Sequence, residues 1–463
     1  MKEEDNPLHF EYSTNEKVAL EIAFGASLNG HLSTVFFKSV GLNVAADSAV
    51  QLPLLNTTGG MVVVLGDDPG ANSSQNEQDN RHFARMAYMP VFEPANPKET
   101  YEMYLEACKL SRKHSMPVFF RMTTHVCHAR ELISFGEIPD HDFDNRPRYD
   151  VKNGPYMPLT ELVFPLKQKA FDKLDKMRKE AESDFLNPVL SPNATGNEPA
   201  KYGVIASSIP ALSVLENLAE SGANVDLLKL GLSYPWPEKK VRKFLEDHEE
   251  VLIVEELDPI FEQELKTFAY DNHLQCRLHA RTERDELMRE LTPPRTWKML
   301  SRAWPDLFEA KPDFETDTHV PPRIPQMCPG CGHRSAFHAF RDAFDENTIT
   351  VADIGCHTLG FFEPYAMGEV LLCMGHSTAT ATGLRLFNEQ RKVVCFLGDA
   401  TFFHAGMPGI ANAVNQDVDV TLILMENNTT AMTGHQPLPS APEPDDVRIP
   451  IQQCPLKDLA SRT

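Results

Sequence analysis

Short apolar runs alternate along the chain with segments of helical period, and proline-rich polar stretches divide them into three blocks. In the first block, which runs to about Phe135, TNEKVALEIAFGASL predicts a helix with Val18, Ile22 and Ala26 on one face. The runs Val62 to Leu65 and Val118 to Arg121 read as buried strands, and Lys98 to Ser111 between them as a helix. Strand, helix, strand in this order predicts a parallel sheet covered by helices. Pro139, Pro147 and Pro155 mark Gly136 to Tyr156 as a loop or crossing arm.

The second block spans roughly Tyr202 to Arg281, with strands predicted in YGVIASS, NVDLLKLG and EVLIVEEL and helices between them. LSPNATGNEP before it has the composition of a linker, as does Thr292 to Pro325, although Trp297 and Trp304 imply that the latter packs on something. The third block begins near Met327 and holds three β-branched apolar runs, ITVADIG, KVVCFLGD and VTLILMEN, each ending in a polar or glycine-rich turn. Repeats and low-complexity tracts are absent from the sequence.

With 463 residues, 42% apolar and 24% charged, the chain has globular composition and room for about three domains. Its 44 Lys+Arg against 66 Asp+Glu give a net charge of −22, which argues against nucleic acid as the main partner. No apolar run approaches the ~18 residues of a membrane span, and MKEEDNPLHF is too polar for a signal peptide, so a cytoplasmic protein is expected. The nine cysteines are scattered, with one CxxC at Cys328 and Cys331. A structural zinc or an iron–sulfur cluster ordinarily takes four close ligands, and no ferredoxin-like cysteine run is present.

The stretch from Lys392 to Gln436 carries the most chemistry. A strand ending at Gly398-Asp399-Ala400, a helix over about Gly406 to Asn415 and a strand ending near Asn427 would place Asp399 and Asn427 at the carboxyl ends of adjacent parallel strands, where open α/β sheets bind ligands. The Asp399 carboxylate, the Asn427 amide oxygen and the Thr429 main-chain carbonyl are oxygen donors suited to Mg²⁺, whose remaining positions a diphosphate and water would fill. N–H groups at the following helix start would face that phosphate. The local alternative is that Asp399 caps a helix and Asn427 sits in a turn.

GDATFFHAGMPGIANAV, ENNTTAMTGHQP, CPGCGHR, DIGCHTLG, NEKVALEIAFGAS, VGLNVAAD and SSQNEQDNRHFAR together resemble the alpha subunit of indolepyruvate:ferredoxin oxidoreductase, nearly end to end and in order. The resemblance implies a thiamine diphosphate-dependent 2-oxoacid:ferredoxin oxidoreductase of α/β fold. It implies a pyrimidine-binding domain over 1–135, an arm over 136–200, a transketolase C-terminal-like domain over 201–290, a linker over 291–325 and a diphosphate-binding domain over 326–463. Glu16 falls where the family has its catalytic glutamate. A carboxyl bonded to N1′ of the aminopyrimidine favours the imino tautomer, which then removes the thiazolium C2 proton. Ser13 to Glu16 also reads as a capping box, with Glu16 returning to the cap amide.

The same resemblance places Gly398, Asp399, Ala400, Asn427, Thr429 and Thr433 at the cofactor, with Asp399, Asn427 and Thr429 on Mg²⁺. It adds Cys328, Gly330, Cys331 and His333 at the start of the domain, and Gly355, Cys356 and His357 after DIG. Cys328 and Cys331 carry no metal in this reading, and Cys356 reads equally as a small buried residue. His404 and His435 lie inside family-like strings, and CMGHSTATATG, where the family reads closer to CMGASIGMAHG, brings His376 and Ser377 toward the cofactor. Phe361, Phe362, Phe402 and Phe403 form a conceivable aromatic pocket or simply core.

Relative to the family, an initial strand with its YPGTPS-like loop, the end of the diphosphate domain and a ferredoxin-like domain are not seen. The expected activity is oxidative decarboxylation of an aryl 2-oxoacid to an acyl-CoA. Its [4Fe-4S] clusters would be supplied by another subunit, since no ligands for them are recognised in this chain. The expected assembly is a homodimer with a beta subunit and an iron–sulfur subunit or ferredoxin. The rival readings are a non-oxidative thiamine-dependent decarboxylase and a non-catalytic truncated subunit.

Overall fold

The computed structural model describes residues 8–136, 148–194, 196, 199–311, 325–388 and 390–440. The chain forms two compact units, Glu16–Glu315 and Met1–Asn15 with Thr316–Thr463. Elements of the first begin with helix α1 (Glu16–Leu28), strand β1 (Ser33–Lys38), α2 (Gly41–Gln51), β2 (Met61–Asp67), α3 (Arg81–Ala87), β3 (Val91–Phe92), α4 (Pro97–His114) and β4 (Val118–Thr123). They continue through α5 (Val163–Ala181), β5 (Val189–Leu190), β6 (Tyr202–Ser207), α6 (Ser208–Ser221), β7 (Val225–Leu230), β8 (Leu232–Tyr234) and α7 (Glu238–Asp247). The last are β9 (Glu250–Val254), α8 (Ile260–Asp271), β10 (Arg277–His279) and α9 (Pro293–Ala303).

Two five-stranded sheets organise this unit, in the orders β1-β2-β4-β3-β8 and β10-β9-β6-β7-β5. Pairing is parallel except at β3–β8 and β5–β7. β2, MVVVLGD, lies between two strands and is buried along nearly its whole length. That is why it reads as an unbroken apolar run. β1 is an edge strand whose first four residues alternate buried and exposed, and the sequence did not betray it as a strand. α4 starts where Asn96 Oδ1 accepts the Glu99 N–H at 2.8 Å, with Pro97 in the first turn, and stops where Ser115 turns left-handed at φ 49°.

Two expectations are corrected. The buried face of α1 is Leu20, Ala23 and Ser27, not Val18, Ile22 and Ala26, and Ile22 is exposed. Small side chains let α1 close onto Leu42, Ala45 and Ala49 of α2, so close packing overrides the bulkier stripe. The spans taken as arm and linker also hold helices. α5 buries Leu174, Met177 and Ala181 in the first sheet's core, and Trp297 and Trp304 are buried with Leu252 and Val254 in the second. Their apolar faces pack on sheets, which the surrounding prolines obscured.

Buried ion pairs brace the first sheet, and one of them, from Arg81, joins it to the second. Arg121 on β4 donates to Asp67 and Glu93, both at 2.5 Å, and Arg81 on α3 donates to Asp79 at 2.6 Å and to Glu255 at 2.7 Å. Arg81 reaches the Glu256 carbonyl as well. Removing one partner of such a pair typically costs about 3–5 kcal/mol, because the other charge is left uncompensated. Glu256 sits beside this network with Oε1 accepting the Leu291 N–H at 2.9 Å, and burial pushes its carboxyl up to about 7. Among the described residues no helix is long and apolar enough to cross a membrane.

The folded chain holds the Glu256 proton more tightly than the unfolded chain, so folding stability falls as pH rises through the ordinary carboxylate range to about 7 and is then level. Glu256→Gln, which keeps the acceptor, should therefore raise stability at pH 8 by about 3 kcal/mol and make little difference near pH 5. Urea unfolding at the two pH values checks this; an equal effect at both would contradict it.

Candidate cofactor site

The second unit carries helix α10 (Gly332–Ala343), strand β11 (Ile349–Val351), α11 (Ser377–Leu386), β12 (Val393–Gly398), α12 (Met407–Asn415) and β13 (Thr421–Met425). The three strands form one parallel sheet in the order β11-β12-β13. Gly398 pairs with Met425, so Asp399 and Asn427 leave adjacent strands at the same end, as expected. Phe396 and Val394 face a core with Phe337 of α10, and Ala381 of α11 packs on the other face with Val351 and Cys395.

Asp399 is nearly wholly buried and joins the two strand ends. Its Oδ2 accepts the N–H groups of Asn427 and Asn428 at 2.9 and 2.7 Å, while Oδ1 accepts that of Ala400 at 2.8 Å. Asn428 takes a left-handed φ of 58°, which turns the chain sharply after β13. Asn427 is exposed, with its Oδ1 accepting the Thr429 N–H at 3.2 Å; the Thr429 carbonyl accepts that of Ala431 at 3.0 Å. Asp399 is the first helical residue and not the cap, which is Gly398, whereas the turn alternative at Asn427 is realised by these two bonds. They do not use up the site, since each amide oxygen keeps a second lone pair. One carboxylate and two amide-type oxygens make a hard donor set that fits Mg²⁺. The Thr433 hydroxyl is engaged by Gln436 at 2.7 Å.

Residues 328–333 and 355–357 gather at the same place. The Cys331 N–H donates to the Cys328 carbonyl at 3.1 Å, closing a turn in which Gly330 has φ 75° and open space around it. Cys331 precedes α10, and its Sγ lies 3.3 Å from His333 Nδ1. The His333 ring stacks on His357, centroids 6.3 Å apart. Burial lowers the His333 pKa while the Asp399 carboxylate opposes it. His357 is pushed down to about 4 by burial and by His333, so it is neutral at physiological pH. Its buried Nε2 has no partner among the described residues, leaving a polar atom for a ligand to meet. A Cβ on Gly355 would lie 2.7 Å from this ring and one on Gly398 3.3 Å from it, so both glycines make room for it. Burial raises the Cys356 thiol, and Cys331 and Cys328 raise it further, so the three thiols are neighbours.

The sequence reading missed Asp353. Its fully buried carboxylate accepts the N–H groups of Ile354 at 2.7 Å, Gly375 at 2.8 Å and Ser377 at 2.9 Å, tying the loop after β11 to the start of α11. An aspartate where an apolar strand ends in glycine was the available signal. His376 bonds locally, to the Leu372 N–H at 3.0 Å and to Thr380 at 2.9 Å. The His404 carbonyl accepts from the Asn15 amide at 2.9 Å, and His435 is exposed with φ 61°. Phe361–Phe362 and Phe402–Phe403 are two edge-to-face pairs, and among the described residues no ring contact links them.

Glu16 is the first residue of α1, not the third as the capping box predicted from Ser13 would have it. The Ser13 hydroxyl donates to Glu11 instead. The Glu16 carboxyl arm lies along Gly41, the first residue of α2.

Open parallel sheets bind ligands at strand ends of this kind, and residues 353–450 match the family of the thiamine pyrophosphate enzyme C-terminal TPP binding domain. The chain is 39% identical over 448 residues to the indolepyruvate oxidoreductase subunit IorA of Methanothermobacter thermautotrophicus, covering 94% of this chain and 70% of that protein. It is 36% identical over 467 residues to the protein of the same name from Pyrococcus horikoshii, with coverage of 94% and 70%. A solved 2-oxoglutarate:ferredoxin oxidoreductase from Magnetococcus marinus aligns with TM-score 0.46 at 14% identity, over 64% of this chain and 57% of that one. The chain belongs to the family of indolepyruvate oxidoreductase subunit IorA.

Replacing Asp353 by Ala would orphan the buried N–H groups of Gly375 and Ser377 and the part-buried one of Ile354, and should cost about 3 kcal/mol. Urea unfolding of the cofactor-free chain checks this. A change under about 1 kcal/mol would mean that the two loops are held by other contacts.

Proposed function

We propose that this chain is the cofactor-binding subunit of a thiamine diphosphate-dependent 2-oxoacid oxidoreductase acting on an aryl 2-oxoacid such as indolepyruvate. The observation that carries the reading is Asp399 bonded across two strand ends to Asn427, inside a stretch matched by the TPP-binding family. Thiamine diphosphate, when bound, supplies the carbon nucleophile at which a 2-oxoacid loses CO₂. The overall conversion takes 2-oxoacid and coenzyme A to acyl-CoA, CO₂, a proton and two electrons, which pass singly to ferredoxin or to an iron–sulfur partner subunit.

The residues of this chain have separable tasks. Asp399 and a diphosphate are both anionic and repel unless a divalent cation stands between them, so Mg²⁺ enters on charge grounds. Asp399, Asn427 and the Thr429 carbonyl would hold it. Gly398, Ala400, Gly355 and the Gly330 turn leave main chain open to the phosphates, and neutral His333 and His357 offer polar contacts without adding charge. Cys328, Cys331 and Cys356 line the same neighbourhood. Glu16 would hold the proton at the aminopyrimidine N1′. The names of the relatives support the indole substrate, and a beta subunit and the cytoplasm go with it.

Thiamine diphosphate and Mg²⁺ at ~100 times the dissociation constant should stabilise the parent by about 2.7 kcal/mol and leave Asp399→Ala unchanged. Differential scanning fluorimetry measures this, and equal shifts in both would sink the assignment of the metal ligands. Incubation with indolepyruvate, coenzyme A and a one-electron acceptor, with co-purified partner present, tests the reaction. Aldehyde release without any acceptor would replace it by simple decarboxylation.

A further inference from the structure

Gly41 stands where any larger residue would collide with Glu16. A Cβ at this position would lie 2.7 Å from Glu16 Cγ, 2.8 Å from Oε1 and 3.0 Å from Cδ. Those atoms make up most of the carboxyl arm beyond Cβ, so the arm runs along the bare main chain at the first residue of α2. Backbone conformation does not require glycine here, since Gly41 is not among the glycines of positive φ. Helix formation disfavours it, glycine being the poorest helix former after proline. Gly25, inside α1, has nothing within 4 Å of its added Cβ, which shows that crowding is not general in these helices. Around it, Leu42 and Ala45 of α2 and Leu20 and Ala23 of α1 share one core, so neither helix can move away cheaply.

We propose that Gly41 is the positioning residue for Glu16: the missing side chain on α2 fixes where the carboxylate of α1 rests, so that its aim depends on both helices. This rests on the role given to Glu16 above. An alanine at 41 would meet the Glu16 side chain from Cγ outward and no main chain, so a turn about χ1 of Glu16 relieves it. Folding should therefore tolerate the change while Glu16 swings aside.

The full chain tests this in two ways. Without cofactor, Gly41→Ala should raise the melting temperature by at least about 2 °C more in a Glu16→Ala background than in the parent, since only the parent has an arm to displace. Additive changes would overturn the contact, whatever the cofactor does. With thiamine diphosphate and Mg²⁺, Gly41→Ala should keep the parent's ligand-induced stabilisation while thiazolium C2 proton exchange, read by quenched-flow NMR in D₂O, slows roughly 100-fold. In a Glu16→Asp background, one methylene shorter, the same substitution should slow exchange by less than about tenfold. Exchange at the parent rate in Gly41→Ala overturns the proposal. Exchange at the parent rate in Glu16→Gln instead removes the role of Glu16 and leaves the contact to be judged by the cofactor-free cycle.

Discussion

Two buried carboxylates bonded to main-chain N–H groups are the constraint on which the cofactor unit depends. Parallel strands end with donors that have no ladder partner, and helices begin with several more. Asp399 satisfies those that follow β13, and Asp353 those that open α11. Each carboxylate comes from a different strand end than most of the groups it serves, so the loops are cross-braced. A floor built this way is pre-organised, and it presents its remaining oxygens, open glycines and neutral imidazoles in fixed places.

The other unit solves a different problem with the same means. Its two sheets meet through Arg81, which binds Asp79 and Glu255, while Arg121 ties Asp67 to Glu93 within the first sheet; all of these carboxylates are buried. Arg281 extends the set to Glu255 and Glu262. Such groups add little to stability compared with an apolar interface of the same shape, but they penalise any other docking of the sheets by stranding a charge. Excess carboxyl over guanidinium leaves Glu256 with burial as its strongest influence, and its proton stays on into the neutral range. A cavity of about 310 Å³ beside β10 is lined by Lys266, Arg277, Arg281 and Arg302, of which Lys266, Arg281 and Arg302 pair with carboxylates.

Strands buried on both faces were legible because their pattern is local: β2, β4, β6, β7, β9 and β12 are runs of apolar residues. β1 was not, since an edge strand shows water every second residue and its first exposed position, Thr34, reads as loop. α2 was hidden by alanines, which carry little hydrophobic contrast, and the true face of α1 by the same smallness. At the site, Asp399, Asn427 and the glycines were legible as a motif with fixed spacing. Asp353 was not, because its partners Gly375 and Ser377 lie 22 and 24 residues further on and an aspartate at a strand end is ordinary.

The sequence by itself determined the class of chemistry: oxygen donors and glycines at set intervals, the strands that bear them, and the family strings around them. Each is a property of residue type and spacing over a few dozen residues. Tertiary structure decided which groups face one another. It stacked His333 on His357, brought Cys356 to the Cys328–Cys331 turn, gave Asp353 its loops and laid the arm of Glu16 along Gly41. Those contacts depend on how closely two elements pack, and packing distance is set by side chains remote in the chain, which no local pattern encodes.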